Sequence, residues 1–117
     1  MNFLLKNKSL SIIFLIFIIL NNKYYLNNKS NFKSYDKELL KLHNSTRSNQ
    51  LLIDKDLTKT AQKHADWMDK NNIMSHIGYK NSSPYDRLKQ TNKKFNLVGE
   101  NIAFGQTNPE EVFNDWM

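Results

Sequence analysis

The sequence predicts an α+β domain that is mostly helical, because three kinds of pattern recur in its 117 residues. Two long segments repeat apolar residues at helical spacing, and two short segments begin with residues that cap helices. One further stretch is apolar and rich in residues favoured in β-strands. All of these patterns fall within residues 35–117, which we therefore predict to form the domain.

The N-terminal segment has the form of an export signal. Lys6 and Lys8 precede an apolar run from Leu10 to Leu20, as the basic and apolar regions of a secretory signal do. A helix of this run, at ~1.5 Å per residue, is ~16 Å long and falls short of a ~30 Å hydrocarbon core. We predict a signal peptide over residues 1–22, or alternatively an uncleaved N-terminal membrane anchor, followed by a polar linker over residues 23–34. The protein is then secreted, or held at the membrane by this segment.

The distribution of charge argues against a nucleic-acid-binding protein. The net charge is +6, but residues 1–35 hold five lysines and no acidic residue. Residues 36–117 hold twelve basic and eleven acidic residues, whereas a nucleic-acid-binding domain carries a basic face of its own. The sequence has no cysteine, which excludes a disulfide scaffold, a cysteine nucleophile and thiolate metal sites.

Two segments place their apolar residues on one face of a helix, at spacings of three and four residues. In the first segment the face consists of Leu39, Leu42, His43 and Thr46. In the second it consists of Leu57, Ala61, Ala65 and Met68, and Asp54 or Asp56 can cap the first turn.

The two short helices are recognised by their first residues. Ser83 is a good N-cap and Pro84 suits the first helical position. Thr107 or Asn108 can cap the last helix, with Pro109 at its first position.

Between the short helices, the stretch FNLVGENIAFG predicts one strand or a strand-like loop. The last helix then stops at Met117 after about two turns, without a C-cap. Because a lone strand cannot form a sheet, we expect the domain to be cut before it is complete.

Six segments in this order resemble the CAP superfamily, also called the SCP or PR-1-like domain, in its cysteine-free bacterial form. The matching segments are LHNSTR, AQKHADWM, MSHIG, SSPYDRL, VGENIAFG and PEEVFNDWM. Each is weak alone, but together they span residues 35–117. The resemblance implies an α-β-α sandwich, here partial, whose remaining strands follow Met117.

The resemblance also implies a cleft in which histidines and acidic residues gather and which holds a divalent metal in some members. His76 matches the first cleft histidine and Glu100 matches the glutamate of the GEN motif. The second cleft histidine is expected beyond Met117. Glu111 or Asp115 is a candidate for a further acidic position.

The pair His76 and Glu100 has two interpretations. Imidazole and carboxylate both suit a zinc-like divalent ion, so the two residues are candidate ligands of an incomplete metal site and candidate catalytic groups. Alternatively, they hydrogen-bond each other and brace the loop, since a buried carboxylate needs partners.

The other histidines and polar residues have structural interpretations. His43 lies on the apolar face of the first helix and is expected in the core, and His64 is expected at a helix edge. Asn44 and Arg47 are expected to tie neighbouring backbone. Trp67 is expected in the core rather than in a ligand platform.

We therefore expect a secreted or surface-anchored binding module with a polar cleft around His76 and Glu100. Its partner would be a lipid or sterol, a surface polymer or a protein, with membrane contact through the N-terminal segment. The alternatives are a metal-assisted hydrolase that uses the same cleft, and a truncated fragment without function.

Overall fold

The described part of the chain is an α+β structure that is mostly helical, as the sequence predicts. The computed structural model describes residues 2–5, 18–19, 29–95 and 97–117, with side chains from Tyr35 onward. Its helices are α1 (Lys29–Ser45), α2 (Lys55–Asn71), α3 (Pro84–Lys89) and α4 (Pro109–Trp116), with a 3₁₀ turn at Tyr79–Asn81. Its strands are β1 (Asn2–Leu5), β2 (Ile18–Ile19), β3 (Leu97–Glu100) and β4 (Ala103–Phe104).

The strands form two small sheets of two strands each within the described residues. β1 pairs with β3 in antiparallel fashion, with Asn2 opposite Glu100 and Leu5 opposite Leu97. β2 pairs with β4 in parallel. The stretch that we predicted as one strand is thus divided at Asn101 and Ile102, and its two halves pair with different segments.

The N-terminal predictions fall mostly on residues that lie outside the described ranges, both for the signal or anchor at 1–22 and for the linker at 23–34. The described parts are the strands β1 and β2 and the beginning of α1. α1 begins at Lys29, six residues before the domain boundary predicted at Tyr35. None of the described helices is long and apolar enough to cross a membrane.

The apolar face predicted for α2 is the centre of the core. Leu57, Ala61, Ala65 and Met68 are all buried and pack with Leu88 of α3. Trp67, Phe95, Val98 and Ile102 pack around them. The two alanines leave room for these neighbours to approach the helix, so α2, α3 and β3 share one core.

α1 packs mainly against α4. Leu39 of α1 and Val112 of α4 are fully buried. His43 lies between the helices with 1% of its surface exposed, and its ring meets that of Phe113 edge to face at 4.8 Å. His43 is therefore a core residue, as expected.

The predicted caps are present at three helices. The Asp54 side chain accepts from the backbone of α2, and Asn108 does so for α4. At α3, Ser83 and Asp86 form a reciprocal capping box. Asn44 also ties the backbone as expected, since its side chain bonds both the N–H and the carbonyl of Leu51, at 2.7 and 3.2 Å.

We expect Ser83→Ala to lower the free energy of unfolding by about 1 kcal/mol, because it removes the oxygen that caps α3. The measurement is urea unfolding of the full chain. Ser82→Ala is the matched control, since Ser82 holds its neighbours through its backbone N–H and carbonyl. Equal effects of the two substitutions would contradict a capping role for Ser83.

Candidate functional site

The centre of the candidate site is the carboxylate of Glu100, at the end of β3. Its side chain is only 4% exposed. One oxygen, Oε2, accepts a hydrogen bond from Nη2 of Arg87, and the other, Oε1, accepts from Nδ1 of His76 at 2.9 Å. Both oxygens thus have partners, as a buried carboxylate requires.

Arg87 holds the carboxylate and the preceding loop together. It lies in α3 and is 8% exposed. Its Nη1 donates to the carbonyl oxygens of His76 at 3.1 Å and Ser82 at 2.9 Å. One guanidinium therefore fixes the position of β3 relative to the loop that carries His76. We did not assign this role to Arg87 from the sequence.

His76 is the solvent-facing member of the site. Its side chain is 55% exposed, although its Nδ1 is held by Glu100. Within the described residues the other ring nitrogen, Nε2, has no hydrogen-bond partner. The predicted pair is thus brought together across 24 positions of sequence, and the predicted hydrogen bond between its members is confirmed.

His64 of α2 belongs to the same cluster, which our expectation of a helix-edge residue missed. It is 4% exposed, and its Nε2 donates to the carbonyl of Ser75 at 2.9 Å and lies 4.0 Å from Oε1 of Glu100. Its position three residues after Ala61 and four before Met68 was the available signal, because that spacing places it on the buried face.

The charge state of His64 follows from its surroundings. Burial lowers the pKa of His64 below its ordinary value of 6.5, and the nearby charge of Arg87 lowers it further. The imidazole is therefore neutral at pH 7, and its approach to Glu100 is not an ion pair. Its ring stacks on that of Trp67, with 5.8 Å between the ring centres.

Gly78 allows the side chains of His64 and Arg87 to pack closely against the loop that carries His76. A Cβ added at Gly78 would lie 2.8 Å from Nδ1 of His64 and 3.1 Å from Nη1 of Arg87. The distance of 2.8 Å is shorter than real Cβ atoms approach, so a side chain at this position would force the His64 ring to shift.

The acidic candidates of α4 have other partners. Glu111 accepts from the backbone N–H of Thr107 at 2.7 Å, and Asp115 accepts from the side chain of Gln106 at 2.5 Å. Neither is among the partners of His76 or Glu100 in the described part of the chain. Both carboxylates instead hold the segment that precedes α4.

His76 and Glu100, the candidate metal ligands, are bonded to each other within the described cluster. The carboxylate oxygens are both engaged, and the positive charge of Arg87 lies against one of them. Across residues 29–95 and 97–117, moreover, no three histidine, aspartate or glutamate side chains are grouped so that they could share an ion. The divalent metal that the resemblance implied has no ligand set among these residues.

We expect Gly78→Ala to destabilise the fold by about 1–3 kcal/mol, the usual cost of an added methyl group without space. Because His64 supplies the closest atoms, the cost should be smaller when Gly78→Ala is made in a His64→Ala background. A double-mutant cycle by urea unfolding measures this coupling. An equal cost in both backgrounds would show that the two residues are not in contact.

The pH dependence of stability gives a second expectation. Below pH 6.5 the unfolded chain protonates His64 and the folded chain does not, so stability falls as the pH drops towards the lowered pKa of the folded state. Between about pH 7.5 and 5.5, the free energy of unfolding should therefore fall less in His64→Gln than in the wild type. The difference between the two slopes is at most about 1.4 kcal/mol per pH unit.

Taking the difference between variants cancels the contributions of other groups, such as Asp36, whose pKa burial raises to about 6. Thr60→Ala, on the same helix, is the control that should keep the wild-type pH dependence. Identical pH profiles for His64→Gln and the wild type would mean that His64 is not buried as a neutral ring.

Comparison with known proteins places this site in a family. The sequence model of the CAP family, described as the cysteine-rich secretory protein family, matches residues 40–117. The chain is 36% identical over 92 residues to the uncharacterized protein YkwD of Bacillus subtilis, covering 75% of this chain and 36% of YkwD. It is 30% identical over 86 residues to the uncharacterized membrane protein YlbC of the same organism, covering 70% of this chain and 25% of YlbC.

The chain thus matches about a third of the length of YkwD and a quarter of the length of YlbC. No solved structure is significantly similar to it. The family match includes every helix and loop that contributes to the Glu100 cluster, and the protein belongs to the CAP family, in a form without cysteines.

Proposed function

We propose that this protein is an exported CAP-domain binding module, whose polar cleft is centred on His76 and Glu100. As part of this proposal, the helices cover a central sheet as an α-β-α sandwich. Export is supported by the basic and apolar N-terminal segment, and YlbC, a relative over 86 residues, is named a membrane protein.

One observation supports the proposal: the exposed imidazole of His76 is hydrogen-bonded to the buried carboxylate of Glu100, both of whose oxygens have partners. Glu100 fixes the orientation of the His76 ring through Nδ1, and the ring remains 55% exposed. The free nitrogen Nε2 can then donate to a ligand or accept from it, depending on its protonation. A ring held in place in advance loses little freedom when a ligand binds.

The same geometry favours binding over hydrolysis. A carboxylate that orients a histidine is also the arrangement of a general base, which keeps a hydrolase that uses the same cleft as the second candidate. Hydrolysis further requires a nucleophile and a group that stabilises developing charge. The nearest hydroxyl in the sequence is that of Ser75. It accepts a hydrogen bond from the backbone N–H of Ile77 at 3.0 Å, so it stabilises the loop in which it lies.

Three ligand classes fit a polar cleft on an exported protein: a lipid or sterol, a polymer of the cell surface, and a protein. A lipid headgroup or a surface polymer would meet His76 from solvent without displacing Glu100, because Arg87 keeps the carboxylate in place. The lipid, sterol and polymer classes differ in their chemistry, so one panel of probes separates them from one another.

We expect His76→Ala in the full chain to weaken binding of the cognate probe about tenfold. The substitution removes one hydrogen bond to the ligand and the contact that the ring makes with it. The panel consists of phosphatidylglycerol vesicles, cholesterol-containing vesicles and soluble peptidoglycan fragments, measured by calorimetry. Tyr85→Ala is the control, since Tyr85 is another exposed ring, on α3.

Equal affinity of His76→Ala and Tyr85→Ala for a probe that binds would contradict a binding role for His76. No binding to any probe would exclude a lipid, a sterol and a surface polymer, and would leave a protein as the partner. Turnover of a chromogenic ester that His76→Ala loses and Tyr85→Ala keeps would establish the hydrolase instead.

A further inference from the structure

A second polar surface lies beside the Glu100 cluster, along another face of α2. While Leu57, Ala61 and Ala65 face the core, residues three and four apart on the neighbouring stripe of the helix face a groove. This groove has a volume of about 560 Å³, within the ~300–1,000 Å³ range usual for ligand sites. The α2 residues that line it are Asp56, Lys59, Thr60, Lys63, His64 and Trp67.

The opposite wall comes from the 3₁₀ turn, the residue that follows it, and α3 with its C-terminal end. Its residues are Tyr79, Lys80, Ser82, Arg87, Gln90 and Thr91. His76 and Glu100 do not line the groove, so it is distinct from the cleft proposed above. Among the described residues, Arg87 and His64 border both sites.

The groove is positively charged, unlike the rest of the domain. Lys59 and Lys63 are exposed and make no ion pair with any described residue, and Lys80 lies over the ring of Tyr79 at 5.5 Å. Among the described residues of the lining, the one acidic side chain, Asp56, is already paired with Lys93 at 2.9 Å. Lysines without acidic partners in a concave site attract anions.

The groove also offers flat aromatic surfaces and neutral hydrogen-bonding groups. Trp67, which we expected in the core, is only partly buried: it packs against the core and stacks on His64, and it also lines the groove. Tyr79 is 64% exposed. Thr60, Ser82 and Gln90 add hydroxyl and amide groups. Rings of this kind pack against the faces of sugar rings, and hydroxyl and amide groups bond to sugar hydroxyls.

From this combination, the geometry points to a binding site for an anionic oligosaccharide in the groove between α2 and the 3₁₀ turn. The sugar rings lie on Trp67 and Tyr79, and the acidic groups of the sugars pair with Lys59 and Lys63. A nucleic acid would also meet lysines and aromatic rings. The near balance of charge over residues 36–117 gives no extended basic track for a polyphosphate, which favours the sugar.

The test compares two double substitutions on α2 in the full chain. Lys59→Gln with Lys63→Gln removes the charges of the groove. Lys55→Gln with Lys70→Gln removes the same charge from exposed positions of α2 that do not line it. The probes are an oligogalacturonate, a neutral cello-oligosaccharide of the same length and a single-stranded oligonucleotide, measured by calorimetry at low salt.

We expect oligogalacturonate to bind the wild type more tightly than either other probe. The groove substitutions should weaken its binding about five- to tenfold, as the loss of two exposed charge contacts would, and the control pair should change it less than twofold. Added salt should reduce the difference between the two variants. Tyr79→Ala should weaken binding at low and high salt alike, because stacking is not screened.

Equal affinities of the two double variants would overturn the site, as would equal binding of the neutral sugar. Tighter binding of the oligonucleotide would overturn the choice of a sugar. His76→Ala separates this site from the cleft: it should leave oligogalacturonate binding unchanged, whatever becomes of the probes used for the cleft. A loss of binding in His76→Ala equal to that in the groove variant would remove the groove as an independent site.

Discussion

The buried carboxylate of Glu100 is the constraint on which the arrangement of the site depends. An ionised carboxylate removed from water is costly by several kcal/mol unless charged and hydrogen-bonding partners surround it. Arg87 supplies the charge and His76 supplies the second bond, so α3, β3 and the loop after α2 must lie in one relative position. The loop packs closely against His64 and Arg87 because Gly78 has no side chain that would meet them.

The three histidines show how burial decides what one side-chain type does. His43 is enclosed between α1 and α4 and bonds the carbonyl of Leu39 in its own helix, so it acts as part of the core. His64 is also buried, but it lies beside the carboxylate of Glu100 and stacks on the ring of Trp67. Only His76 combines a fixed orientation with access to solvent, and that combination makes it the group of the three suited to meet a ligand.

Arg87 and His64 link the two proposed binding surfaces physically. Their buried faces meet the Glu100 cluster, and their other sides border the lysine-lined groove. Substituting either residue would disturb both surfaces, whereas His76 and Lys63 each belong to one alone. The proposed cleft and groove therefore share Arg87 and His64 as a common wall, while the groups proposed to contact the two ligands are separate.

The sequence by itself determined the helices, their caps and their buried faces, because these depend on spacing and on neighbouring residues along the chain. It also determined the family and the pairing of His76 with Glu100, through short motifs in a fixed order. Only the tertiary structure decided that Arg87 and His64 complete the cluster, that Glu111 and Asp115 do not, and that β3 and β4 join different strands. Each of these depends on contacts between segments distant in the chain, where burial and charge pairing act across space. The helical spacing of His64 indicates that the side chain is buried, but not which distant groups it meets.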